Sequence, residues 1–146
     1  MKMITLFILL VAGCLVGSYT RANVDSSKRE PFTIKTTAAG EALWTLHQGY
    51  HHTQLKYKDC KMDAYYDKPE NLIGFGKTLA ATDLPKQVAK KISHRFQHYN
   101  IVSVMLFINA NGNIYYYAGI EDAHQLIGVK VSSKCRLNVL QRISLN

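Results

Sequence analysis

Histidines recur at a spacing that could hold a metal. His47 and His51 are four residues apart, and so are His94 and His98. On a helix that spacing turns two imidazoles to one side, which suits Zn²⁺ or Cu²⁺. A stable site wants three or four ligands. His52 is the nearest further donor, and nothing in the sequence brings the two pairs together. Exposed or capping histidines are the plainer reading, and no cofactor is assigned. Thiol chemistry is equally thin: Cys60 and Cys135 lack Cys-x-x-Cys spacing, and no Ser-centred elbow occurs. Asp67, Glu70, Asp83, Glu121 and Asp122 fall in turn-like stretches, where carboxylates close turns rather than form a buried acid–base pair. With no catalytic set, the chain reads as a non-enzyme.

Tyrosines offer a different chemistry. Tyr65-Tyr66 and Tyr115-Tyr116-Tyr117 lie in strand-like runs, so neighbours point to opposite faces and Tyr116 opposes Tyr115 and Tyr117. If one face packs under helices and the other is open, these five tyrosines make a protein-binding surface, because Tyr supplies rigid, amphipathic contact area. Cross-strand aromatic pairing accounts for them equally well.

The stretch Asp83–Asn100 carries the strongest helical signal. Leu84, Val88, Ile92 and Phe96 step by four and Tyr99 follows by three, which defines one apolar stripe. Lys86, Lys90, His94 and His98 make a second stripe, offset by two residues. At ~100° per residue the two stripes lie almost opposite each other. A solvated basic face explains the cations. A metal- or anion-binding face built from the His and Lys stripes is the alternative function. Nucleic acid is not an expected partner, since Phe96 points inward rather than interleaving with the cations.

Other elements must position these groups. Lys2 precedes an apolar run from Ile4 to Val16, and Thr20-Arg21-Ala22 supplies a cleavage site. This predicts a signal peptide over residues 1–22, too short to span a bilayer. A lipobox-like Val11-Ala12-Gly13-Cys14 is the competing reading; membrane attachment follows only if Cys14 is lipidated. Either reading exports the chain, giving a periplasmic or secreted protein, or an outer-membrane lipoprotein through Cys14. The remaining chain suffices for one modest core. Its net charge of +8 loses only Lys2 and Arg21 with the signal, so the product stays basic. Outside the cytoplasm, Cys60 and Cys135 are a candidate disulfide, with geometry to decide.

Residues 23–35 read as a flexible leader and 36–146 as one domain. Thr36 to His52 predicts a first helix, with Ala39, Leu43, Leu46 and Tyr50 on one face, weakened by Gly40 and Gly49. Strands follow over 53–58, 61–66 and 72–80. After the helix, strands are expected over 101–109, 114–120, 125–131 and 136–143, with Asn111-Gly112 as a hairpin turn. Two helices packed on one face of an antiparallel sheet make an α+β domain.

Ala64-Tyr65-Tyr66-Asp67, Leu72-Ile73, Asp83-Leu84-Pro85 with Val88 and Ile92, Ile114-Tyr115-Tyr116-Tyr117 and Leu137-Asn138-Val139 together carry a resemblance. Over roughly residues 40–145 the chain resembles the small exported PepSY-like proteins of the β-lactamase-inhibitor-like fold. Pro69-Glu70-Asn71 and Lys134-Cys135 depart from the Asp-Gly turns of that family, and Cys135 is not among its hallmarks. The resemblance implies a PepSY/BLIP-like α+β fold and a secreted, non-catalytic binding or inhibitory module. With the tyrosine-rich strands and no catalytic set, the expected function is binding, or inhibition, of another envelope or extracellular protein.

Overall fold

Two glycines undo the expected first helix. The computed structural model describes residues 30–57 and 59–146. The expected signal peptide, Cys14 and the leader as far as residue 29 lie outside the described residues. Within them, Gly40 (φ +79°) and Gly49 (φ +95°) adopt the left-handed turn conformation that L-residues resist. The segment expected as a helix therefore becomes turn, strand, turn. β1 (Phe32–Thr36) pairs antiparallel with β2 (Ala42–Leu46), and β3 (His51–Tyr57) follows. β1 also takes up residues expected to belong to the leader.

The other elements fall close to their expected places: β4 (Cys60–Lys68), β5 (Asn71–Leu79), α1 (Lys86–Arg95), β6 (Asn100–Asn109), β7 (Ile114–Glu121), β8 (Gln125–Ser132) and β9 (Leu137–Ser144). Gly112, at φ +79°, closes the Asn-Gly turn between β6 and β7. Strands β3 to β9 form one seven-stranded antiparallel sheet in sequence order, and β1–β2 form a separate two-stranded sheet. The fold is thus mostly β, with a single α-helix among the described residues. This corrects the two-helix α+β expectation. The physical reason is local: alternation of Phe32, Ile34, Trp44 and Leu46 satisfies period two once glycines break the helix.

Each face of the large sheet has its own lid. On one face α1 buries Leu84, Val88, Ile92 and Phe96 against Val104, Tyr116, Ala118, Ile120, Ile127, Val129 and Val131. On the other face lies the β1–β2 hairpin. Its Phe32 joins Tyr65, Met105, Phe107 and Tyr117, with Trp44 and Leu46 packed alongside. The central strands are therefore buried on both sides. That explains why Val104 to Ile108 reads as an apolar run instead of an alternating one.

The hairpin seats closely because the sheet gives way beneath it. Gly119 and Gly128 are cross-strand partners, and Ile34, 1% exposed, packs over both. A Cβ on Gly119 would collide with Ile34 Cδ1 and Ser103 Oγ. The two glycines form a socket for one isoleucine side chain.

Candidate functional site

The five candidate tyrosines do not share an open surface. Tyr65 and Tyr117 lie in the core under the hairpin, whereas Tyr116 lies in the core under α1. Phe32 meets Tyr65 edge-on at a centroid distance of 4.8 Å and Tyr117 at 5.5 Å; Trp44 meets Tyr117 at 5.4 Å. Burial pushes the Tyr65 hydroxyl up to about 12, and the Asp63 carboxylate adds to the shift. Tyr117 is pushed up further, by burial first and then by Glu30. Tyr115 is half-buried beneath Lys130, whose Nζ is 4.3 Å from its ring centroid. Tyr66, also half-buried, lines a shallow hollow with His51, Lys68, Pro69 and Glu70. The helix-free face is occupied by the hairpin, so its tyrosines are mainly packing groups.

The histidine pairs also dissolve. His47 lies in the link between β2 and β3, while His51 and His52 open β3 and point to opposite sides of it. His94 is in the last turn of α1, and His98 lies beyond its end. Helical four-residue spacing therefore exists in neither pair. Among the described residues no three His, Cys, Asp or Glu side chains gather to hold a metal. His52 instead lies 5.8 Å from the Tyr65 ring, its cross-strand neighbour.

Cys60 and Cys135 are unbridged. Cys60 starts β4, and Cys135 lies in the β8–β9 turn, with three strands between. The ladder registers place them at opposite ends of the sheet. Three intervening strands alone separate them by on the order of 19 Å, well beyond disulfide reach.

One polar cluster was not legible in the sequence. Glu30, just before β1, accepts a hydrogen bond from Tyr117 Oη at 2.7 Å and pairs with Lys130 Nζ at 2.8 Å. It is the one ion pair among the described residues, and it joins the start of the hairpin to β7 and β8. Its partners are distant in sequence, so no local motif signals it. The basic helix makes no such pair: Lys86, Lys90, Lys91 and His94 are exposed. Arg95 Nη1 donates to the Leu137 carbonyl at 3.5 Å.

Two features remain open to partners. The seven-stranded sheet ends in two edge strands, β3 and β9, and of these β3 is exposed at every position from His51 to Lys56, on both faces. Leu55 is 42% exposed. Cations line this edge: Lys56 lies directly across from Lys61, an unfavourable like-charge pair. The second feature is an open cleft of about 780 Å³ beside the hairpin. Phe32, Trp44 and Leu140 give it apolar walls, with His47, Lys68 and Gln141 among its polar residues. A bulge in β9 skips Leu140 in the ladder with β8, and Leu140 and Gln141 both border the cleft. No protein-family model matches the chain, nor does any curated protein or solved structure.

Proposed function

We propose that this chain is an exported, non-catalytic binding module that engages an envelope or extracellular protein by strand addition along β3. The observation that carries this reading is the unpaired edge of β3, exposed on both faces from His51 to Lys56. An edge strand offers a row of main-chain donors and acceptors. An added strand supplies their partners, while alternate side chains confer specificity. The cations Lys56 and Lys61 favour an acidic partner segment and oppose self-pairing of two β3 edges. The packed tyrosines shape the sheet behind this edge rather than forming the contact surface themselves.

Photo-crosslinking in the native cell tests the reading. A crosslinkable residue at Gln54 captures a defined partner, Leu55→Glu abolishes capture, and β3 amides become protected from hydrogen exchange in the complex. Equal capture from Gln54 and from Lys90 on the outer face of α1, or capture that survives Leu55→Glu, would refute strand addition.

A further inference from the structure

The cations of α1 have no counterion among the described residues. Lys86, Lys90, Lys91 and Arg95 are exposed, and the helix contains no acidic residue. The one ion pair among the described residues, Lys130 with Glu30, lies on the hairpin side of the sheet. The positive cluster continues past the helix end. Arg95 Nη1 donates to the Leu137 carbonyl, so the β8–β9 turn, with exposed Lys134 and Arg136, stands beside the last turn of α1. Acidic groups collect elsewhere: Glu30 and Asp67 line the cleft on the hairpin side. Asp83, just before the helix, is the acidic residue nearest to it in sequence.

Charge complementarity calls for an anionic partner, and the rest of the face selects its kind. Leu84, Val88, Ile92 and Phe96 are all buried against the sheet, so the outward side keeps no large apolar or aromatic group. A protein interface centres on such groups and is depleted of lysine. Single-stranded nucleic acid stacks its bases on exposed aromatics, which this face lacks. A plane of lipid phosphates asks for neither. It attracts clusters of about four to eight Lys and Arg carried on an amphipathic helix, through the negative potential of the leaflet alone.

We propose that the outer face of α1, together with Lys134 and Arg136, docks this protein on an anionic phospholipid bilayer. The ammonium and guanidinium groups meet lipid phosphates, and no side chain of the helix enters the hydrocarbon. Attachment is therefore peripheral, reversible and weakened by salt. It needs no lipid on Cys14. The β3 edge stays clear of the bilayer: the buried strand residues under α1 belong to β6 to β9, and β3 lies three strands from β6, on the order of 14 Å.

Vesicle sedimentation tests the assignment. At low salt the full chain binds vesicles of equal parts phosphatidylglycerol and phosphatidylcholine more tightly than vesicles of phosphatidylcholine alone, and molar salt removes the difference. Lys86→Gln combined with Lys90→Gln keeps good helix formers in place. This double variant weakens binding to the anionic vesicles about twentyfold, at about fivefold per cation. Lys35→Gln combined with Lys68→Gln removes the same charge away from α1 and leaves that binding nearly unchanged. Equal affinity of the unaltered chain for the two kinds of vesicle overturns the proposal. So does an equal loss in the two double variants, which would reduce the effect to net charge. Tighter binding to dextran sulfate than to the anionic vesicles overturns it in favour of a polysaccharide. Capture of a protein at Gln54 is read separately, so failure at the bilayer and failure at β3 are distinguishable.

Discussion

The two faces of the same sheet are built on different principles. Under α1 the contacts are mainly aliphatic, with Phe96 and Tyr116 at their margin: Val104, Ala118, Ile120, Ile127, Val129 and Val131 are completely buried. Under the hairpin the contacts are aromatic, seated over glycines, and tied to an ion pair and a tyrosine hydroxyl. One strand serves both, since β7 sends Tyr116 to the helix side and Tyr117 to the hairpin side. Among the described residues the helix side leaves no buried polar side-chain atom without a partner. The hairpin side leaves Trp44 Nε1, Gln141 Oε1 and Ser103 Oγ buried without a hydrogen-bond partner among the described residues.

The largest expected effect breaks the helix side alone. Ile127→Ala removes a fully buried side chain from the dry core and costs about 2–5 kcal/mol. Chemical denaturation measures the loss, and the fluorescence of Trp44 under the other face stays unchanged while the variant is folded. The hairpin counterpart is smaller. Gly119→Ala forces its methyl group into Ile34 and Ser103 and costs about 1–3 kcal/mol through overpacking. Unlike the first variant, it displaces the hairpin and shifts the fluorescence of Trp44. Equal effects of the two variants on Trp44 fluorescence would erase the distinction between the faces.

The smallest effect at neutral pH is one of titration. In the unfolded chain tyrosine ionises near about 10. Tyr65 is raised to about 12, and Tyr117 is raised further by burial and by Glu30. The fold therefore favours the protonated phenols. The stability they contribute is fully present below about pH 10 and is lost as pH rises through the folded values. Tyr116, raised by burial alone, adds the same trend on the helix side. Ultraviolet titration should show Tyr65 ionising late and Tyr117 only as the hairpin side opens. Normal titration of all tyrosines in the folded chain would contradict the packed hairpin.

Much of the sheet was legible because its signals are local. Strands β4 to β9 follow apolar or alternating runs bounded by turn residues, β3 follows the alternation of Thr53 to Lys58, and the four-residue steps of Leu84, Val88, Ile92 and Phe96 place α1. The region from Phe32 to Tyr50 was misread because Ala39, Leu43, Leu46 and Tyr50 satisfy helical spacing while Phe32, Ile34, Trp44 and Leu46 satisfy alternation. Two periodicities compete there, and tertiary burial under the sheet selects the second. The histidine spacing failed for the same reason, since a four-residue step means proximity only on a helix.

The sequence by itself determined the turns, most strands, the basic outer face of α1 and the opposed directions of Tyr116 and Tyr117, because these depend on backbone periodicity and turn chemistry. Only the tertiary structure decided that the tyrosine face is covered, that Cys60 and Cys135 stand at opposite ends of the sheet, and that Glu30 holds Lys130. It alone placed Ile34 over Gly119 and Gly128. These are contacts between residues far apart in the chain. They exist only once β1–β2 folds back over the sheet, and no local pattern encodes where a hairpin will land.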